Sequence, residues 1–109
     1  MPHILIADSS EDVAQLVSVA LSLRGFGTEI RVRGEQPFRP PDVLVLDAGL
    51  RDAAELVDEL RARIPRLPVV ATGIRSHDGR RPPLGALVYL VKPFSLTDLA
   101  AAVRAAAPT

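Results

Sequence analysis

A chain of 109 residues with 48% apolar content can fill one hydrophobic core and leaves no room for a second. Thirteen basic residues balance thirteen acidic ones, so no net field gathers nucleic acid or anionic lipid, and partners are expected to be recognised by shape. Cysteine is absent, which removes disulfides and thiolate metal sites, and no stretch approaches the roughly 20 apolar residues of a membrane span, so the expectation is a soluble cytoplasmic protein.

"HILIA" at residues 3–7 is a nearly continuous apolar run rich in branched side chains, the pattern of a strand covered on both faces. From Glu11 to Arg24 the apolar residues Val13, Leu16, Val17, Ala20 and Leu21 recur at helical spacing, and Gly25 stands where a helix stops. "TEIRV" alternates as a second strand does, and "DVLVLD" is an apolar third strand ending in an acid. Ala53 to Ile64 sets Leu56, Val57, Leu60 and Ile64 on one helical face, with Asp58, Glu59, Arg61 and Arg63 opposite. "LPVVAT" and "ALVYLV" read as the fourth and fifth strands. The segment "SLTDLAAAVRAAA" then opens a helix with Ser95 as N-cap and Asp98 three residues on, and buries Leu96, Leu99 and Val103.

Strands alternating with helices, and strands apolar on both faces, predict a doubly wound α/β domain over residues 1–109. Two crossovers break the rhythm. "VRGEQPFRPPD" at 32–42 holds three prolines and no helical stripe, and "GIRSHDGRRPPLGA" at 73–86 is interrupted by Pro82 and Pro83, so a regular helix is not expected in either.

In open parallel sheets, ligands bind outside the carboxyl ends of the strands. Asp8 follows the first strand, Asp47 ends the third, Thr72 ends the fourth, and Lys92 with Pro93 follows the fifth. Each alone is ordinary: an Asp there is a cap or turn former, a Thr a strand end, a Lys a solvated charge. Together on one rim they suggest phosphoryl transfer. Two carboxylates hold Mg2+, the ammonium meets a phosphate oxygen, and the hydroxyl donates a hydrogen bond. Twelve of the thirteen basic residues are Arg, and the single Lys stands here.

"ILIADSSED", "PDVLVLDAGL", "PVVATG" and "GALVYLVKPFS", in this order, resemble the receiver domain of bacterial two-component response regulators over essentially the whole chain. The resemblance implies a flavodoxin-like, five-stranded parallel sheet in order 2-1-3-4-5. It makes Asp47 the phosphoacceptor, Asp8 and Asp47 metal ligands with the Gly49 carbonyl, and Thr72 and Lys92 contacts of the phosphoryl group. Tyr89 would be the aromatic whose rotamer reports phosphorylation, and the Lys92–Pro93 bond resembles one that is cis in the family. The implied cofactor is Mg2+ and the implied activity is that of a signalling domain, with at most slow autophosphorylation and autodephosphorylation. Implied partners are a sensor histidine kinase or phosphotransfer protein and a downstream protein, with the domain a monomer or weak homodimer.

The chain departs from the family at Ser9, where a second acid usually stands and binds the metal directly; Ser9 is then a further candidate ligand in a weakened site. It departs again after Asp47, where Arg51 stands and a later Gly is missing, and in two shortened crossovers. Intact Asp47, Thr72 and Lys92 favour a phosphoaccepting receiver. Ser9 and the altered loops favour a pseudo-receiver that binds partners without phosphorylation. A flavodoxin-like enzyme or mononucleotide binder is disfavoured by the lack of a glycine-rich phosphate loop after the first strand. His3 and His77 are read as ordinary surface residues, and Arg80 and Arg81 as solvated loop charges.

Overall fold

Uninterrupted runs of branched apolar residues are stable only where both faces of a strand are covered, and three such runs occupy the middle of the sheet. The computed structural model describes residues 1–75 and 82–108. Within it, β1 (His3–Ala7), β3 (Val43–Asp47) and β4 (Val69–Gly73) are buried along their whole lengths. The shorter, partly exposed β2 (Gly27–Ile30) and β5 (Val88–Val91) form the edges. All pairs are parallel, in the order β2-β1-β3-β4-β5.

Alternate side chains of the inner strands feed two cores. Ile4, Ile6, Val43, Val45 and Val70 pack against α1 (Glu11–Ser22) and α3 (Leu96–Ala106). Leu5, Leu44, Leu46 and Val69 pack against α2 (Ala53–Arg63) on the other face. Burying each such side chain contributes roughly 1.5–3 kcal/mol. The helices start as their caps dictate. Ser10 Oγ accepts from the Val13 amide at 3.3 Å, and Ser95 Oγ accepts from the Thr97 and Asp98 amides at 3.1 and 3.3 Å.

Several details differ from the sequence reading. The first helix stops at Ser22, two residues before Arg24, and Gly25 makes the left-handed turn with φ +91°. Its buried stripe is Ala14, Val17, Ala20 and Leu21; Leu16 is 56% exposed, because positions 14, 17 and 21 align along the sheet and 16 falls outside that line. His3 is buried rather than on the surface: β1 is an inner strand, and the imidazole Nε2 lies 2.9 Å from Glu29 Oε1 on β2. Residues 31–42 carry neither helix nor strand, and the described part of the second crossover carries only the 3₁₀ turn Pro83–Gly85. His77, Arg80 and Arg81 lie outside the described residues.

What this architecture positions is one rim. Strand order reverses at β1, so the carboxyl ends of β1 and β3 splay apart there, and Asp47 and Thr72 sit side by side in the β3–β4 register.

Candidate functional site

Asp47 closes β3 and is 95% removed from solvent, so its charge requires partners. Four groups supply them. The Ser9 hydroxyl donates to Asp47 Oδ2 at 2.6 Å and the Ser9 amide donates to the same oxygen at 3.1 Å. The Gly49 amide donates to Oδ1 at 2.8 Å, and Lys92 Nζ stands 3.4 Å from Oδ2. Burial pushes the Asp47 carboxyl up, but the Ser9 hydroxyl, the Gly49 and Ser9 amides and the Lys92 charge outweigh it and hold the group below its ordinary value. The carboxylate is therefore ionised at neutral pH.

Asp8 follows β1 and is held from both ends. Lys92 Nζ reaches its two oxygens at 3.0 and 3.3 Å, and the Ser10 amide donates to Oδ1 at 2.9 Å. Lys92 thus bridges the two acids, from a position where its own amide is tied to the Gly73 carbonyl at 2.7 Å and its bond to Pro93 is cis. Thr72 is 1% exposed, and its Oγ1 has no hydrogen-bond partner among the described residues.

Asp8, Ser9, Asp47, Gly49 and Lys92 are thus joined by direct contacts, with Thr72 beside Asp47 in register. Tyr89 lies on β5. Its hydroxyl donates to the Arg75 carbonyl at 2.8 Å, and its ring covers Gly73, where any Cβ would collide with the phenol. The carboxylates of Asp8 and Asp47, joined through Lys92, and the Ser9 hydroxyl on Asp47 are oxygen atoms of the kind Mg2+ takes. Among the described residues no group of three His, Cys, Asp or Glu side chains gathers, so such an ion would need further ligands from water or phosphate.

The sequence reading passed over the end of β2. Arg31 and Arg33 stand there, and with Arg51 they line a cleft of about 410 Å3 that also takes in Asp8, Ser9 and Gly49. Arg31 grips Asp52 through two nitrogens, at 3.2 and 2.5 Å, and this bond together with the charge of Arg33 holds the Asp52 carboxyl below its ordinary value. The signal available in sequence was the strand end itself, since the rule applied to the other four strands applies equally to β2.

No family model matches the chain. The transcriptional regulatory protein PrrA of Mycobacterium bovis is 37% identical to it in an alignment 114 positions long that covers 95% of this chain and 49% of the relative. The chain thus spans about half the length of the curated relatives it matches. The structure of NtrX from Brucella abortus superposes with a TM-score of 0.82 at 27% identity, covering 96% of this chain and 26% of that one. The beryllofluoride-activated DrrB receiver domain superposes with a TM-score of 0.78 at 25% identity, covering 97% of each chain. Identity of 37% to a response regulator across 95% of the chain, together with a five-stranded parallel sheet in the order 2-1-3-4-5 that superposes on a receiver domain, shows that the chain belongs to the receiver-domain family of two-component response regulators.

Proposed function

We propose that this receiver domain accepts a phosphoryl group on Asp47 and passes the signal on by protein contact. The observation that carries this reading is the pairing of an ionised, donor-surrounded Asp47 with a buried Thr72 hydroxyl that has no hydrogen-bond partner among the described residues. A buried hydroxyl left unpaired costs about 1–3 kcal/mol, and a phosphoryl oxygen on the neighbouring side chain removes that cost.

In the transfer, a carboxylate oxygen of Asp47 forms a bond to phosphorus as the P–N bond of a phosphohistidine breaks. The electron pair leaves with the imidazole, whose other nitrogen carries a proton. Lys92, already 3.4 Å from Asp47, turns to a phosphoryl oxygen, and Thr72 donates to another. Receiver domains generally bind Mg2+, and when bound here it would neutralise phosphoryl oxygens, held by Asp8, Asp47 and the Gly49 carbonyl. Ser9 contributes a neutral oxygen in place of a carboxylate, which weakens that site.

The donor fits an apolar groove of about 450 Å3 beside Lys92, lined by Leu16, Val17, Ile74 and Phe94 among others. Leu16 and Ile74 are 56% and 81% exposed, a surface suited to the apolar face of a helix from a sensor histidine kinase or phosphotransfer protein. The reading places the domain in the cytoplasm; among the described residues no helix is long and apolar enough to cross a membrane.

A second reading, a pseudo-receiver that binds partners without phosphorylation, is favoured by the Ser9 hydroxyl being spent on Asp47. Intact mass after incubation with acetyl phosphate and Mg2+ separates the two. One added phosphoryl group, absent from Asp47→Asn, supports the first; no mass gain in the native chain overturns it.

A further inference from the structure

We infer that the arginine-lined cleft beside Asp47 is a binding site for a tetrahedral phosphate dianion, distinct from the phosphoryl position on Asp47 and independent of metal. Three observations carry it. First, the cleft adjoins the acceptor: Ser9 and Gly49, both hydrogen-bonded to Asp47, form part of its wall. Second, its fixed charge is positive. Its lining holds three arginines, Arg31, Arg33 and Arg51, against two acids, Asp8 and Asp52, and Asp8 is in addition paired with Lys92. Third, the cations differ in freedom in the way a binding site requires. Arg31 is only 11% exposed and locked bidentately on Asp52, so it forms a rigid wall. Arg33 is 72% exposed and 3.8 Å from Asp52, and Arg51, in the same lining, is exposed.

Arginine suits this ligand because its planar fork matches two phosphate oxygens at once and carries its charge at every physiological pH. Two exposed guanidinium groups lining one cleft of about 410 Å3 can take one phosphate group between them and leave space for the small body attached to it. The ligand class is therefore a phosphate-bearing small molecule, with inorganic phosphate as its minimal form. Resting on the proposed function, the role of the site is to concentrate a phosphodonor beside Asp47; the binding itself requires no transfer.

The test is titration of inorganic phosphate into the intact chain in low salt with EDTA, followed by amide NMR. Saturable binding with shifts at Ser9, Gly49 and Arg51 is expected, weakened about tenfold or more in Arg33→Gln/Arg51→Gln and competed by sulfate. Both side chains are exposed, and an unchanged melting temperature verifies the fold of the variant. Asp47→Asn should bind phosphate at least as well as the native chain, which separates this result from any failure of phosphotransfer. Absence of saturable binding, equal binding by the double variant, or shifts that appear only with Mg2+ and centre on Thr72 and Lys92 would each overturn the inference.

Discussion

Ser9 Oγ donates to Asp47 Oδ2 at 2.6 Å, a shorter contact than the 2.8 Å bond from the Gly49 amide. A hydroxyl thus stands against the carboxylate at the place where receivers carry an acid. In place of a repulsion between like charges the serine supplies a hydrogen bond to a charged acceptor, and under the proposed function the metal site has one negative charge fewer.

Ser9→Asp is therefore expected to tighten Mg2+ binding by roughly tenfold or more, since even ligand-supporting groups are worth that much. It should lower the melting temperature of the metal-free protein by crowding three carboxylates around Lys92. Mg2+ titration followed by NMR, with melts in EDTA, reads both effects; equal Mg2+ affinity in the two proteins would remove Ser9 from the metal shell.

Lys92 spans Asp8 and Asp47 at 3.0 and 3.4 Å while 19% exposed, so Lys92→Met leaves two buried carboxylates facing each other. The expected loss is on the order of 1–3 kcal/mol by denaturant unfolding, partly recovered in the double variant with Asp8→Asn.

Because the Asp47 carboxyl lies below its ordinary value of 3.8, its contribution to stability is fully present above about pH 4. It is lost as pH falls from 3.8 through the lowered native value. The acid limb of the stability curve should accordingly be shallower in Asp47→Asn than in the native chain, measured by unfolding between about pH 5 and pH 2.

Arg61 on α2 ties down the segment that precedes β5. Its guanidinium donates to the carbonyls of Leu67, Leu84 and Gly85 at 3.1 to 3.3 Å. Arg61→Ala should cost about 1–3 kcal/mol and speed amide hydrogen exchange through Pro83–Gly85 and the start of β5 more than elsewhere. Gly85 has φ +66°, and a Cβ there would lie 2.7 Å from Arg61 Nη1, so Gly85→Ala is expected to disturb the same segment.

Gly73 is the floor beneath the Tyr89 ring, and a methyl group there would overlap the phenol. Gly73→Ala should turn Tyr89 away, break its bond to the Arg75 carbonyl and cost about 1–3 kcal/mol as overpacking. Tyr89 fluorescence and the aromatic NMR signals report the change, since Tyr89 is the single Tyr and Trp is absent.

Much of the architecture was legible because its determinants are local. Continuous apolar runs marked β1, β3 and β4, period-3.6 stripes marked the three helices, and prolines marked the crossover at 31–42, which carries no helix. Leu16 was misplaced because a stripe of five apolar residues is wider than the line of contact, and only packing against the sheet selects its centre. His3 was misplaced because a strand start reads as surface unless the neighbouring strand is known to carry Glu29 alongside it.

The sequence by itself determined which residues reach the rim: a chain alternating strand and helix must bring its strand ends to one edge, so Asp8, Asp47, Thr72 and Lys92 were readable there. Only the tertiary structure decided what each does on arrival. Ser9 meets Asp47 across 38 positions, Lys92 meets Asp8 across 84, and Arg31 meets Asp52 across 21. The physical reason is that hydrogen bonds and ion pairs act over about 3 Å, a range set by how strands lie side by side and which rotamers packing leaves open, and neither is written in the local pattern of the chain.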